Sequence, residues 1–206
     1  MGLMPEGIKL VTVGIAGIVA SAFLFAYSKI LGIPFIFIFT LLTLFSLYFF
    51  RDPIRDRQFS DNQLASPADG TVLSIKEDGD FLVMRIFLSV FNVHIQRAPV
   101  SGKIGKIKFT QGKFAVAYKP EAKDNQRNMI EIKTADGKIV MVEQITGAIA
   151  RRIACYVKEG EEVKVSQKIG MIYFGSQVAL YLPKEAKIIV KEGDKVFAGE
   201  TILGTI

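Results

Sequence analysis

A mainly β chain, preceded by a hairpin of two membrane-spanning helices, is the fold that three features of this sequence predict. Two charge-free apolar runs stand side by side near the start. From Leu64 onward, short alternating apolar runs are cut by turn signals, and one strand-turn-strand pattern occurs twice. With 206 residues, the chain is long enough for one domain with a sizeable core plus an anchor.

The apolar runs come first. Neither Leu10 to Ser28 nor Ile30 to Phe50 contains a charge, and Lys29 alone separates them. Each is close to the roughly 20 residues that a bilayer-spanning helix needs. Gly32-Ile33-Pro34 can supply the turn between them. A cleaved signal peptide has a shorter apolar core and no second span behind it, so residues 1–57 read as an anchor with helices at about 10–28 and 30–50. A buried helical hairpin of a soluble protein is the competing reading, but the phenylalanine-rich second run is too continuously apolar for one packing face. Arg51, Arg55 and Arg57 follow the second run, and their charge against the lone Lys29 places the remaining domain, residues 58–206, on the cytoplasmic side of a cell membrane.

The net charge of +6 suits an anionic membrane surface more economically than nucleic acid, given the tether. Lys103, Lys106, Lys108, Lys113, Lys119 and Lys123 cluster, yet the KIGKIKF spacing reads first as the solvated face of a half-buried strand. A single cysteine, Cys155, excludes an internal disulfide and fits a reducing compartment. Its apolar neighbours predict a small buried thiol. With one histidine as well, a zinc site would need mostly carboxylate ligands, so no metal is expected.

The strands follow in order. Gly70 to Ile75 and Phe81 to Phe87 flank the Glu77-Asp78-Gly79-Asp80 turn, and Met129 to Lys133 and Lys138 to Val142 flank Asp136-Gly137, a hairpin signal. Ile149 to Cys155 is ambiguous between strand and short helix. Val157-Lys158-Glu159-Gly160-Glu161-Glu162-Val163 then recurs as Val190-Lys191-Glu192-Gly193-Asp194-Lys195-Val196. Two copies of one unit predict a quasi-symmetric β sandwich like that of biotinyl and lipoyl carrier domains.

Between the copies lies IYFGSQVALYLP, Ile172 to Pro183, a strand pattern broken at Phe174-Gly175-Ser176. Glycine and serine there weaken a sheet, which directs attention to chemistry. A serine hydroxyl becomes a nucleophile when a base takes its proton. The chain has one histidine, His94, and Asp69 in Ser66-Pro67-Ala68-Asp69-Gly70 is the carboxylate that a turn before a strand can aim into a site. Each residue also has a plain structural reading: packed histidine, Asp-Gly turn, Gly-Ser bulge.

These residues lie within a wider pattern. Phe49-Phe50-Arg51-Asp52-Pro53, SPADG at Ser66 to Gly70, FNVHIQRAPVSG at Phe91 to Gly102, Asn125-Gln126-Arg127-Asn128, QITGAIARRI at Gln144 to Ile153 and FGS at Phe174 to Ser176 occur in that order. Together they resemble the short, membrane-anchored type of phosphatidylserine decarboxylase, a pyruvoyl-dependent enzyme made as a self-cleaving proenzyme; archaetidylserine decarboxylase-like proteins are included.

The resemblance implies that the chain breaks between Gly175 and Ser176 when the serine hydroxyl attacks the glycine carbonyl, with His94 as base and Asp69 orienting it. Elimination and hydrolysis would convert Ser176 into a covalent pyruvoyl group, and the large and small chains would stay associated. The pyruvoyl carbonyl would form a Schiff base with a serine phospholipid, release carbon dioxide and leave the ethanolamine lipid, with no external cofactor. Family members are often dimeric. Longer members carry a histidine where this chain has Phe91, so His94 or water would supply the proton. Arg97, Arg127, Arg151 and Arg152 are candidates either for holding lipid phosphate or carboxylate, or for surface ion pairs. Two other classes compete: a non-catalytic, membrane-tethered carrier-like β sandwich acting as a binding module, and a membrane-bound serine protease.

Overall fold

The computed structural model describes residues 2–112, 124–147, 152–173 and 176–206, which divide into two compact units, Met1–Ile54 and Arg55–Ile206. The first unit contains β1 (Gly2–Leu3), α1 (Pro5–Tyr27), α2 (Lys29–Phe49) and β2 (Arg51–Asp52). Pro5 opens α1, where a missing N–H costs nothing, and Glu6 stands in the first turn. Both helices are long and apolar enough to cross a membrane.

The expected turn at Gly32-Ile33-Pro34 is corrected. The chain breaks at Ser28, which takes an extended conformation between the helices, and Pro34 lies inside α2. Gly32 is a contact point instead, because a Cβ there would run into the backbone of Phe25. Gly7, Gly14 and Ser21, seven residues apart, form the buried seam of α1, and Gly32, Thr43, Ser46 and Phe49 are the buried residues of α2. Small residues let two helices approach closely where lipid removes the hydrophobic drive, while large side chains such as Phe23, Ile30 and Phe37 face outward.

The second unit is built from β3 (Gln63–Ala65), β4 (Gly70–Asp78), β5 (Phe81–Leu88), β6 (Ile95–Arg97), β7 (Gly102–Thr110), β8 (Arg127–Lys133), β9 (Ile139–Thr146), β10 (Ile153–Cys155), β11 (Glu162–Val163), β12 (Lys168–Ile172), β13 (Ser176–Pro183), β14 (Lys187–Ile188), β15 (Lys195–Val196) and β16 (Ile202–Thr205). Eight strands form one antiparallel sheet in the order β11-β7-β8-β9-β13-β5-β4-β15, beside two three-stranded sheets, β10-β12-β6 and β14-β16-β3. Gly137 takes the positive φ that the β8–β9 hairpin turn requires. Residues 148–151 of the ambiguous Ile149 to Cys155 stretch, and Lys113, Lys119 and Lys123, lie outside the described residues. Lys103, Lys106 and Lys108 are exposed while Ile104 between them is buried, as a half-buried strand requires.

The two similar segments close the two edges of the large sheet with corresponding hydrogen bonds. Gly160 N donates to Ile104 O and Gly193 N to Val72 O, each at 2.8 Å. Val165 N donates to Ser101 Oγ at 2.9 Å, and Ala198 N donates to Asp69 Oδ1 at 2.8 Å.

Period-2 alternation sets the inner face of the sheet. Ile130 and Ile132 of β8, Val140 and Val142 of β9, Met84 and Ile86 of β5, and Val178, Leu180 and Leu182 of β13 are fully buried in one apolar core. Toward one end of the sheet the same phase turns polar: Asn128, Gln144, Thr146 and Ser176 continue these rows and are buried too.

Candidate active site

Ser176 opens β13 inside that polar end. It pairs with Leu88 of β5 on one side and Thr146 of β9 on the other, so sheet hydrogen bonding on both flanks locates it. Its side chain is wholly buried, and Oγ has no hydrogen-bond partner among the described residues. Leaving a buried hydroxyl unpaired costs about 1–3 kcal/mol. Gly175, the other half of the expected break, lies outside the described residues.

His94 is also wholly buried, between the end of β5 and the start of β6. Its Nδ1 lies 3.0 Å from Asn92 O. A carbonyl only accepts, so Nδ1 carries a proton in this contact, which leaves Nε2 as the ring nitrogen that can take one up when the ring is neutral. The turn below is closed by Asn92, whose Oδ1 accepts from Ser89 N and Ser89 Oγ. On the backbone side, His94 O accepts from Ile172 N at 3.1 Å and from Gln96 Nε2 at 2.8 Å. Ile172 is four residues before Ser176 in the sequence.

Asp69, just before β4, is 4% exposed. Its carboxylate accepts from Ala198 N at 2.8 Å and from Arg55 Nη2 at 3.0 and 3.3 Å. The guanidinium of Arg55 lies 5.8 Å from the Phe197 ring centroid, so the same loop that caps Asp69 also seats its cation.

A family model described as phosphatidylserine decarboxylase matches residues 42–204. A protein of Syntrophus aciditrophicus (strain SB) named phosphatidylserine decarboxylase proenzyme is 46% identical over 171 residues, which is 79% of this chain and 80% of that one. Proteins of the same name from Desulfotalea psychrophila (strain LSv54 / DSM 12343) and Pelobacter propionicus (strain DSM 2379 / NBRC 103807 / OttBd1) are 44% identical over 178 residues and 39% identical over 206. The former match spans 82% of this chain and 83% of its relative; the latter spans 97% and 90%. This chain belongs to the phosphatidylserine decarboxylase family.

Within that family assignment, the structure gives the Asn125 to Asn128 stretch work that its sequence does not disclose. Asn125 Nδ2 donates to Thr146 O at 2.7 Å, fixing the residue opposite Ser176. Asn128 Nδ2 donates to Gln144 Oε1 at 2.9 Å. Arg97 closes a loop by donating to Ser166 O, and Arg127 pairs with Glu143 at 3.4 Å, so both are tied within the fold. Arg152 stacks near the Tyr173 ring, and Arg151 lies outside the described residues. Cys155 is exposed, not buried as its apolar neighbours suggest, because β10 is an edge strand with one open side. Phe91 is 67% exposed.

Sequence reasoning missed Gln96, Gln144, Asn128, Thr146 and Arg55. For three of them a signal is present: Asn128, Gln144 and Thr146 are polar residues in the buried phase of alternating strands, where burial demands a hydrogen-bonded partner.

Proposed function

We propose that the chain is a proenzyme that cuts itself between Gly175 and Ser176 and then decarboxylates a serine phospholipid, with Ser176 as nucleophile, His94 as base and Asp69 as the carboxylate that orients and charge-stabilises His94. The observation carrying this reading is the buried Ser176 hydroxyl, unpaired among the described residues at a strand start that the sheet holds on both sides. A hydroxyl that must attack its own preceding carbonyl gains from not being tied elsewhere.

In the cut, His94 Nε2 takes the Ser176 proton, Oγ bonds to the Gly175 carbonyl carbon, and the Gly175–Ser176 C–N bond breaks as its nitrogen gains a proton. Loss of the Ser176 Cα proton then expels the Gly175 carboxylate, and hydrolysis releases ammonia and leaves a pyruvoyl group at residue 176. The site fits that small, uncharged group, because Ser176 pairs with Leu88 and Thr146, and the buried polar residues that continue its phase, Gln144 and Asn128, are neutral amides. When formed, the pyruvoyl carbonyl supplies an electron sink for the pair left by departing carbon dioxide.

The two products remain one folded body in this reading. β13 belongs to the small chain yet lies between β5 and β9 of the large chain, while β15 and β16 pair with β4 and β3. The corresponding bonds at the two sheet edges support a quasi-symmetric, carrier-like β sandwich. Arg51, Arg55 and Arg57 after α2 support a cytoplasmic placement against an anionic membrane, where a two-chain lipid can be reached without leaving the bilayer.

Denaturing mass analysis of the full chain in phospholipid nanodiscs tests this. Two fragments are expected, the smaller beginning with a carbonyl group reactive toward hydrazines, and Ser176→Ala and His94→Ala should each give one uncut chain. A folded wild-type chain that stays whole overturns the proposal and favours the binding module; an intact chain acylated at Ser176 favours the protease. Carbon dioxide release from phosphatidylserine and archaetidylserine in parallel identifies the lipid.

A further inference from the structure

A line of buried amides joins the two sheets that carry the nucleophile and the base. Asn128 Nδ2 donates to Gln144 Oε1 at 2.9 Å, Gln144 Nε2 to Gln96 Oε1 at 2.8 Å, and Gln96 Nε2 to His94 O at 2.8 Å. Asn128 and Gln144 belong to β8 and β9 of the eight-stranded sheet, and Gln96 belongs to β6 of the β10-β12-β6 sheet. All three are at most 2% exposed. Every amide N–H in the line points the same way, so each bond polarises the next.

Such a line is an uneconomical way to fill a core. Burying amides gains little over apolar residues of the same shape, and the surrounding rows are valine, isoleucine and leucine. Amides, however, fix a spacing that interchangeable methyl contacts do not: the 2.8 Å Gln144–Gln96 bond crosses between the sheets, and the bonds of 2.9 Å to Asn128 and 2.8 Å to His94 O hold its two ends, so the sheets cannot slide without breaking one. Gln144 stands two residues from Thr146, the partner of Ser176, while the far end of the line holds the peptide of His94. The gap between the sheets therefore sets the gap between nucleophile and base.

A second observation comes from β12. Gly170 sits beside the line, and a Cβ there would lie 2.5 Å from Gln144 Nε2 and 2.5 Å from Ala154 O. The absent side chain at 170 makes the channel through which Gln144 reaches Gln96.

We propose that Gln144, with Gln96 and Asn128, is a positioning residue for self-cleavage, holding His94 at working distance from Ser176. The inference rests on the assignment of His94 as base. Its test uses the full chain, pulse-labelled during cell-free translation into phospholipid nanodiscs, with the first-order appearance of the two fragments followed across pH and thermal unfolding measured in parallel. The triple variant Gln96→Met/Asn128→Leu/Gln144→Met leaves no amide of the line unpaired, so it should melt near the wild type yet cut about 10- to 100-fold more slowly, as expected for a misplaced base. The midpoint of its pH profile should not move. Gly170→Ala, with every amide present, should slow cutting over the same range. Cutting within about twofold of the wild type in a folded triple variant overturns the proposal, because a merely structural line would be replaceable. A triple variant that does not fold, or a shifted pH midpoint, also overturns it by making the amides structural or electronic in their effect. His94→Ala separates this failure from that of the underlying reading: normal cutting there removes the base itself, whereas a block there with normal relay variants removes only the present inference.

Discussion

Replacing Asp69 by serine separates the loop contact that this carboxylate makes from the role proposed for it toward His94. At the corresponding edge of the sheet, Ser101 Oγ accepts from Val165 N at 2.9 Å, just as Asp69 Oδ1 accepts from Ala198 N at 2.8 Å. Asp69→Ser therefore keeps a hydroxyl acceptor for the 197–200 loop and removes only the charge. Arg55, whose side chain is 14% exposed against 5% for Asp69, loses its counter-ion. Breaking a fully buried pair costs about 3–5 kcal/mol, but a partly exposed arginine regains some water and the loop bond survives, so about 2 kcal/mol is expected. That corresponds to a melting temperature lower by about 4–8 °C. Adding Arg55→Leu should recover most of this loss, since no uncompensated charge then remains. Self-cleavage should behave differently: about 100-fold slower or more in both the single and the double variant, because the carboxylate proposed to orient His94 is missing from each. Gel densitometry of fragment appearance and melting curves on the same samples give the comparison. If folded Asp69→Ser cuts at the wild-type rate, the carboxylate is a loop cap and its catalytic assignment fails.

Further outcomes follow from other parts of the fold. Burial first, and then the negative charge of Glu143, push the Tyr181 hydroxyl up to about 12. Because the folded value exceeds the unfolded one, its stabilising share is complete below pH 10 and is lost as pH rises through 12; urea unfolding of Tyr181→Phe should show a flatter decline over that window than the wild type. Arg127→Met leaves Glu143 with Tyr181 as its remaining named donor and should cost about 1–3 kcal/mol, read from the urea midpoint. In the first unit, an ideal Cβ at Gly14 lies 3.2 Å from Thr43 Cβ, so Gly14→Cys/Thr43→Cys in a Cys155→Ser background should cross-link under mild oxidation. Gly32→Leu, which drives a side chain into the Phe25 backbone, should abolish that cross-link on non-reducing gels.

The anchor shows where legibility stops. Charge-free length discloses two helices, because a bilayer core excludes charge over a known thickness. The turn between them was misplaced, since Gly32 and Pro34 look like punctuation until the neighbouring helix is seen to need the missing Cβ. Cys155 teaches the same point from the β unit: apolar neighbours along the chain indicate an apolar strand, but whether a strand is central or at an edge depends on partners far away in sequence.

The candidate site divides in the same manner. Ser176 and His94 stand out in the sequence because their chemistry is scarce there, one histidine and one Gly-Ser break, while Asp69 is one of several acids placed in turns. What the linear order determined is therefore the inventory of reactive groups and the strand phase in which each lies. Pairing with β5 and β9, the amide line through Gln144 and the hold of Arg55 on Asp69 were decided only by tertiary structure, because hydrogen bonds reach about 3 Å while the residues they join are 14 to 129 positions apart along the chain.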